Sequence, residues 1–161
     1  MNRLPAFKSP LRRRVTWSEI CRRYALTVDN GEDALKLTIT LATATACTLI
    51  YLVLSIRVIR ERSKTRFVIA EAMPRTLFIR TRTHANFAEY VPLSLLFLAL
   101  LELAPAPSGV LAVLGGLLVL ARLSHAIGMS RATANLWRLL GICGTLLVLL
   151  GEAITALYLL A

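Results

Sequence analysis

Four stretches of the chain stay apolar for about the 20 residues that a helix needs to cross a hydrocarbon layer. They cover roughly residues 34–56, 86–104, 110–129 and 139–160. The first holds Lys36 at its edge and Thr38, Thr40, Thr43, Thr45 and Thr48 inside. Threonine is acceptable there, because its hydroxyl can bond back to a helix carbonyl. The second holds Glu89, Pro92 and Glu102, the third Arg122 and His125, and the fourth Glu152. Between the second and third, Pro105-Ala106-Pro107-Ser108-Gly109 makes a tight uncharged turn, since neither proline can continue a helix. The pattern predicts an all-α integral membrane protein, a bundle of four transmembrane helices. It leaves no polar catalytic domain outside the membrane, so function must sit in the bundle or in two short connections.

Composition agrees. Of 161 residues, 57% are hydrophobic and 17% charged, against about 45–50% and about 25% in soluble domains. Such hydrophobicity excludes disorder for most of the chain. Cys21, Cys47 and Cys143, without a CxxC pair, make no disulfide framework. The net charge is +10, but nucleic-acid-binding domains are not this apolar, and no nucleic-acid partner is expected. The surplus reads instead as loop charge that fixes orientation.

Residues 1–33 form a basic extension ahead of the membrane domain, residues 34–161. It carries Arg3, Lys8, Arg12, Arg13, Arg14, Arg22 and Arg23. Thr16-Trp17-Ser18-Glu19 fits a capping box for a short interfacial helix; a poorly ordered tail is the alternative. The link over residues 57–83 is the most basic loop, with Arg57, Arg60, Arg62, Lys64, Arg66, Arg75, Arg80 and Arg82. By the positive-inside rule the first and third connections face the cytoplasm and both termini lie outside.

Charged side chains inside a bilayer are costly and need partners or a task. The richest cluster is Arg82-Thr83-His84-Ala85-Asn86-Phe87-Ala88-Glu89-Tyr90-Val91-Pro92. At 100° per residue, Arg82, Asn86 and Glu89 share one helix face and His84 points away. Arg122 and His125 share a face of the third span, and Arg138 opens the fourth on the same side of the membrane. The six residues Arg82, Asn86, Glu89, Arg122, His125 and Arg138 are expected to line one cleft. Their guanidiniums suit a ligand with several carboxylates, and Asn86 and Glu89 suit its ammonium. A helix-end ion pair that ties the bundle together is the plain alternative. No set of histidines, cysteines and carboxylates has metal-ligand spacing. Gly141, Gly144 and Gly151, with Ala153 and Ala156, predict a close helix contact. Glu102, near a span end, is expected to snorkel. Cys47 and Cys143 read as small apolar fillers.

The run Arg82 to Pro92 resembles the signature of the MAPEG family, the membrane-associated proteins in eicosanoid and glutathione metabolism, whose pattern is roughly R-x-H-x-N-x-x-E-x-x-P. Ala121-Arg122-Leu123-Ser124-His125 resembles the family's G-R-x-x-H stretch. The resemblance covers about residues 35–160. It implies a homotrimer of four-helix bundles, with glutathione as cosubstrate between subunits near the cytosolic face. Arg82, Asn86 and Glu89 would hold its peptide parts, His125 would add a contact and Arg122 would shape the site. Arg138 would lie near the sulfur as the catalytic residue. The second substrate would be a lipophilic electrophile from the lipid bilayer. As a bacterial-type member the protein would sit in an inner membrane.

The chain departs from the eicosanoid-synthesising members at three places. Met129, Leu139 and Ile142 stand where those members carry hydroxyls, and none of the three can donate to a thiolate. Thr145, at i+7 from Arg138, is one substitute. Three functions therefore compete: a glutathione-dependent transferase or peroxidase, a non-catalytic lipid- or glutathione-binding scaffold, and a small transporter component. The last would want broken helices or repeat symmetry, and neither is visible.

Overall fold

The computed structural model describes residues 37–66, 73–131 and 135–161. The basic extension and its capping box lie outside the described residues. Four helices follow in order: α1 Thr38–Thr65, α2 Arg75–Leu103, α3 Ser108–Met129 and α4 Leu136–Leu160. All four are long and apolar enough to cross a membrane. Each of the four expected spans is present, in a multi-pass bundle.

The main difference from the pattern lies between the first two spans. Residues 57–83 were expected as a basic loop, yet α1 runs on to Thr65 and α2 begins at Arg75. Arginine and lysine are good helix formers, so the helices persist where hydrophobicity ends. The apolar run marks the bilayer, not the helix. At 28 residues α1 is about 42 Å long, against a hydrocarbon core of about 30 Å. It stops at Arg66, whose φ of 47° is left-handed.

The helices alternate in direction. α1 contacts α2 and α3, and α4 contacts α2 and α3, while α1 and α4 do not touch. The α3–α4 pair packs most extensively, and glycines permit it. A Cβ added at Gly141 would meet the His125 backbone nitrogen and Cβ at 2.5 Å. One at Gly144 would meet Ala121 at 3.0 Å, and one at Gly151 would meet Leu114 at 2.9 Å. The three glycines singled out by sequence thus mark the contact. Gly128, which crosses the Arg138 backbone, extends it by another turn.

Burial follows membrane logic. Leu49, Val53, Leu96, Leu120, Leu147 and Leu157 point outward, where lipid replaces water as their solvent. The interior mixes Leu98, Leu111, Leu118 and Val148 with Ser94, Arg122, His125, Thr145 and Glu152. Backbone polar groups are satisfied within the helices; the buried side chains must find each other. Ser94 Oγ donates to Glu152 Oε1 at 2.6 Å, joining α2 to α4.

The α1–α2 hairpin is closed at both ends by a carboxylate. Glu102 accepts from Ile39 N at 2.8 Å and Thr40 N at 2.7 Å. It caps the start of α1, which has no local side-chain cap, and complements the positive end of its dipole. Glu102 was expected to snorkel; the orphan amides of α1 hold it instead. At the opposite end Glu61 accepts from Arg80 at 3.0 Å and from Thr76 Oγ1 at 2.8 Å. Arg80 also donates to the Arg57 carbonyl at 3.1 Å.

Candidate functional site

Helical periodicity puts Arg82, Asn86 and Glu89 on one face of α2. Arg82 and Glu89 are exposed, and among the described residues neither has an ion-pair or hydrogen-bond partner. They do not pair with each other, so the plain ion-pair alternative is not what the structure has there. His84 turns toward α1. Its Nε2 lies 3.1 Å from Ser55 Oγ and its ring lies against Tyr51 at a 35° tilt, centroids 4.7 Å apart. The Ser55 hydroxyl already donates to the Tyr51 carbonyl at 2.8 Å, so His84 is the donor in that contact.

Arg122 is the deepest of the six, 2% exposed. Its Nη1 donates to Asn86 Oδ1 at 3.1 Å, and its Nη2 to the Gly141 carbonyl at 3.0 Å and to Thr145 Oγ1. One guanidinium thus bridges α2, α3 and α4 through neutral dipoles. Its Nε keeps no partner among the described residues. Planarity suits this use, because a fork of fixed donors can reach three acceptors at once. Gly141 serves here because, lacking a side chain, it lets α3 approach until its carbonyl receives Arg122.

Beside this bridge a pocket of about 120 Å³ opens between α2 and α4. It is lined by Asn86, Tyr90, Arg122, Ile142, Thr145 and Leu146. Of the six expected residues, only Asn86 and Arg122 line it. Arg82 and Glu89 flank it on the exposed face of α2. Arg138, also exposed, stands one turn from Ile142 on α4. His125 is 4% exposed and packs on Gly141 inside the α3–α4 contact, away from the pocket lining.

Two further residues change the chemistry. Thr145 was expected as a substitute donor, but its hydroxyl donates to the Gly141 carbonyl at 2.8 Å and accepts from Arg122. Its single proton is already used. Tyr90, not singled out by the sequence reasoning, lines the pocket with no hydrogen-bond partner among the described residues. The signal was present: Tyr90 follows Asn86 at i+4, so it adjoins the same face. The arrangement can offer an incoming ligand an exposed guanidinium and carboxylate on α2, a phenol at the pocket and a second guanidinium on α4.

The MAPEG family model matches residues 40–158 of the chain. No curated protein and no solved structure matches the chain.

Proposed function

From the premise that this multi-pass membrane protein belongs to the MAPEG family, we propose that it binds glutathione on its α2–α4 face and conjugates it to, or uses it to reduce, lipophilic electrophiles. The observation that carries this reading is the unpartnered pair Arg82 and Glu89 beside the Asn86 pocket. Opposite charges about two turns apart suit a zwitterionic peptide. Arg82 takes a carboxylate through its fork, and Glu89 takes the ammonium.

The pocket's size adds to the case for assembly. At about 120 Å³ it is smaller than the roughly 300–1,000 Å³ of ordinary ligand sites. A tripeptide needs a second wall, and another copy of the chain laid on this exposed charged face supplies it. This is the basis for proposing a homotrimer with the site between subunits.

When bound, glutathione supplies a nucleophilic sulfur. Arg138 holds the sulfur as its anion, since a nearby cation favours thiolate over thiol. Tyr90 is placed to donate its O–H in the role that Leu139, Met129 and Ile142 cannot fill. In an addition, a carbon–sulfur bond forms, the thiol proton leaves to solvent, and the electron pair displaced onto the electrophile takes up a proton. Arg122 acts as a positioning residue, because it fixes Asn86 and the wall formed by Thr145.

The non-catalytic scaffold is favoured by one observation, that Thr145 is fully engaged and leaves Tyr90 as the lone hydroxyl with a free proton in the pocket lining. Calorimetry on the detergent-solubilised protein tests the binding step. Arg82→Ala and Glu89→Ala should each weaken glutathione binding about 10- to 150-fold, the equivalent of one charged hydrogen bond at about 1.5–3 kcal/mol. Equal affinity in both variants and the parent would place the site elsewhere.

A further inference from the structure

A second concave region lies away from the α2–α4 face. Two adjoining spaces open there. One, of about 340 Å³, sits among α1, α2 and α3, with Arg57, Arg80, Thr83 and Met129 in its wall. The other, of about 330 Å³, is a groove between α1 and α3 walled by Leu49, Val53, Leu123 and Ile127. They share Leu54, Arg57, Ala126 and Ser130, so the apolar groove leads directly into the polar space.

The level of this junction in the membrane follows from helix geometry. Arg57 is 19 residues past Thr38, about 29 Å along α1, which is the thickness of the hydrocarbon core. Arg57 and Arg80 therefore stand where headgroups begin, and Leu49 and Val53 where acyl chains lie.

The donors are few and of one kind. Thr83 and Ser130 donate into their own helices, to the Ile79 carbonyl and to the Ala126 and Ile127 carbonyls. Thr76 donates to Glu61. Among the described lining residues, only the guanidiniums can donate into the space. Arg80 uses Nη1 on Glu61 and on the Arg57 carbonyl, and Nε and Nη2 are free among the described residues. The Arg57 guanidinium has no partner among the described residues. Among the described residues Glu61 pairs with Arg80 and no carboxylate pairs with Arg57, which leaves one positive charge in the lining.

We infer that this region binds one acidic phospholipid, with its phosphodiester at Arg57 and Arg80 and one acyl chain in the α1–α3 groove. Charge selects the headgroup: a monoanion matches the single surplus charge, and guanidinium forks match phosphate oxygens. Size selects phospholipid over fatty acid, because a lone carboxylate would leave most of the 340 Å³ beyond the groove unfilled. The site is separate from the one proposed for glutathione and does not depend on it.

The test is a lipid titration of the full-length protein in neutral detergent, read by native mass spectrometry. Phosphatidylglycerol should be retained, and phosphatidylcholine should not compete. Arg57→Ala should weaken retention about tenfold, and Arg57→Lys should recover part of it. Arg60→Ala, on the same exposed helix but outside both spaces, should change nothing. Ala126→Leu fills the shared floor and should also displace the lipid. If that variant does not fold, the Arg57 series still decides, because Arg57 is exposed. Phosphatidylglycerol with a photoreactive acyl chain should label residues 49–53 and 123–127. Equal losses in Arg57→Ala and Arg60→Ala would reduce the effect to diffuse surface charge and overturn the site. Equal retention of phosphatidylcholine, competition by soluble glycerol phosphate as strong as by the lipid, or labelling confined to α2 and α4 would each overturn it as well.

Discussion

Replacing Gly141 by alanine is a severe change for a single methyl group. The new Cβ would meet the backbone nitrogen and Cβ of His125 at 2.5 Å and its Cα at 2.6 Å, where carbon contacts want about 3.5–4.0 Å. The obstacle is largely backbone, so no rotamer change relieves it and α3 and α4 must separate by about 1 Å. Overpacking of this kind costs about 1–3 kcal/mol. The separation also draws the Gly141 carbonyl away from Arg122 Nη2, now at 3.0 Å, a charged hydrogen bond of about 1.5–3 kcal/mol. Against this stands a gain of about 0.5–1 kcal/mol for alanine over glycine inside a helix. The net expectation is a loss of about 1.5–5.5 kcal/mol, or a fall in melting temperature of about 3–20 °C for a chain of this size. Gly116 is the control: a Cβ there meets nothing within 4 Å. Circular dichroism melts in one detergent should show Gly141→Ala well below the parent and Gly116→Ala at or slightly above it. A Gly141→Ala protein melting with the parent would refute the argument that the α3–α4 approach is set by that missing side chain.

Two further outcomes are expected. Glu102→Ala removes the cap from Ile39 N and Thr40 N and should lower stability by about 0.5–2 kcal/mol; hydrogen exchange should quicken at the start of α1 and not at the start of α4, where Asn135 accepts from Arg138 N at 3.1 Å. If Arg138 holds the sulfur anion, the thiol of bound glutathione should titrate below its free value, so that more of it is thiolate at neutral pH. Ultraviolet thiolate absorption should follow this shift, Arg138→Ala should return the thiol toward its free value, and an unshifted thiol in the parent would favour the scaffold.

The four spans were legible because a bilayer demands about 20 apolar residues regardless of tertiary contacts. The face shared by Arg82, Asn86 and Glu89 was legible because helical phase is local. What escaped was set by partners far along the chain. Glu102 reaches Ile39 and Thr40 across more than 60 positions, and nothing in the neighbourhood of Glu102 announces that α1 lacks a cap. The six charged and polar residues of the expected cleft divided because phase within a helix says which residues share a face, not which neighbouring helix that face meets. His125 shares a face with Arg122, yet Gly141 brings α4 so close that His125 is sealed in. The i+7 spacing from Arg138 offers Thr145 as a substitute donor, but one-dimensional spacing cannot show that a carbonyl and a guanidinium already engage its hydroxyl.

The two carboxylates that close the α1–α2 hairpin also make it a gauge. Glu102 grips α1 at Thr40, and Glu61 lies 21 residues further on, about 32 Å along the axis. Both grips are polar and belong near the edges of the oily layer, so their separation sets the membrane thickness that this pair of helices matches without adjustment. A thinner membrane cannot shorten that distance, because a helix does not compress; the pair must lean, or the surrounding lipids must stretch to meet it. A thicker one draws the lipids inward around the same fixed span. Hydrophobic mismatch is thus taken up by whole-bundle tilt or by lipid deformation, each at a fraction of a kcal/mol per Å, and not by sliding one helix along the other.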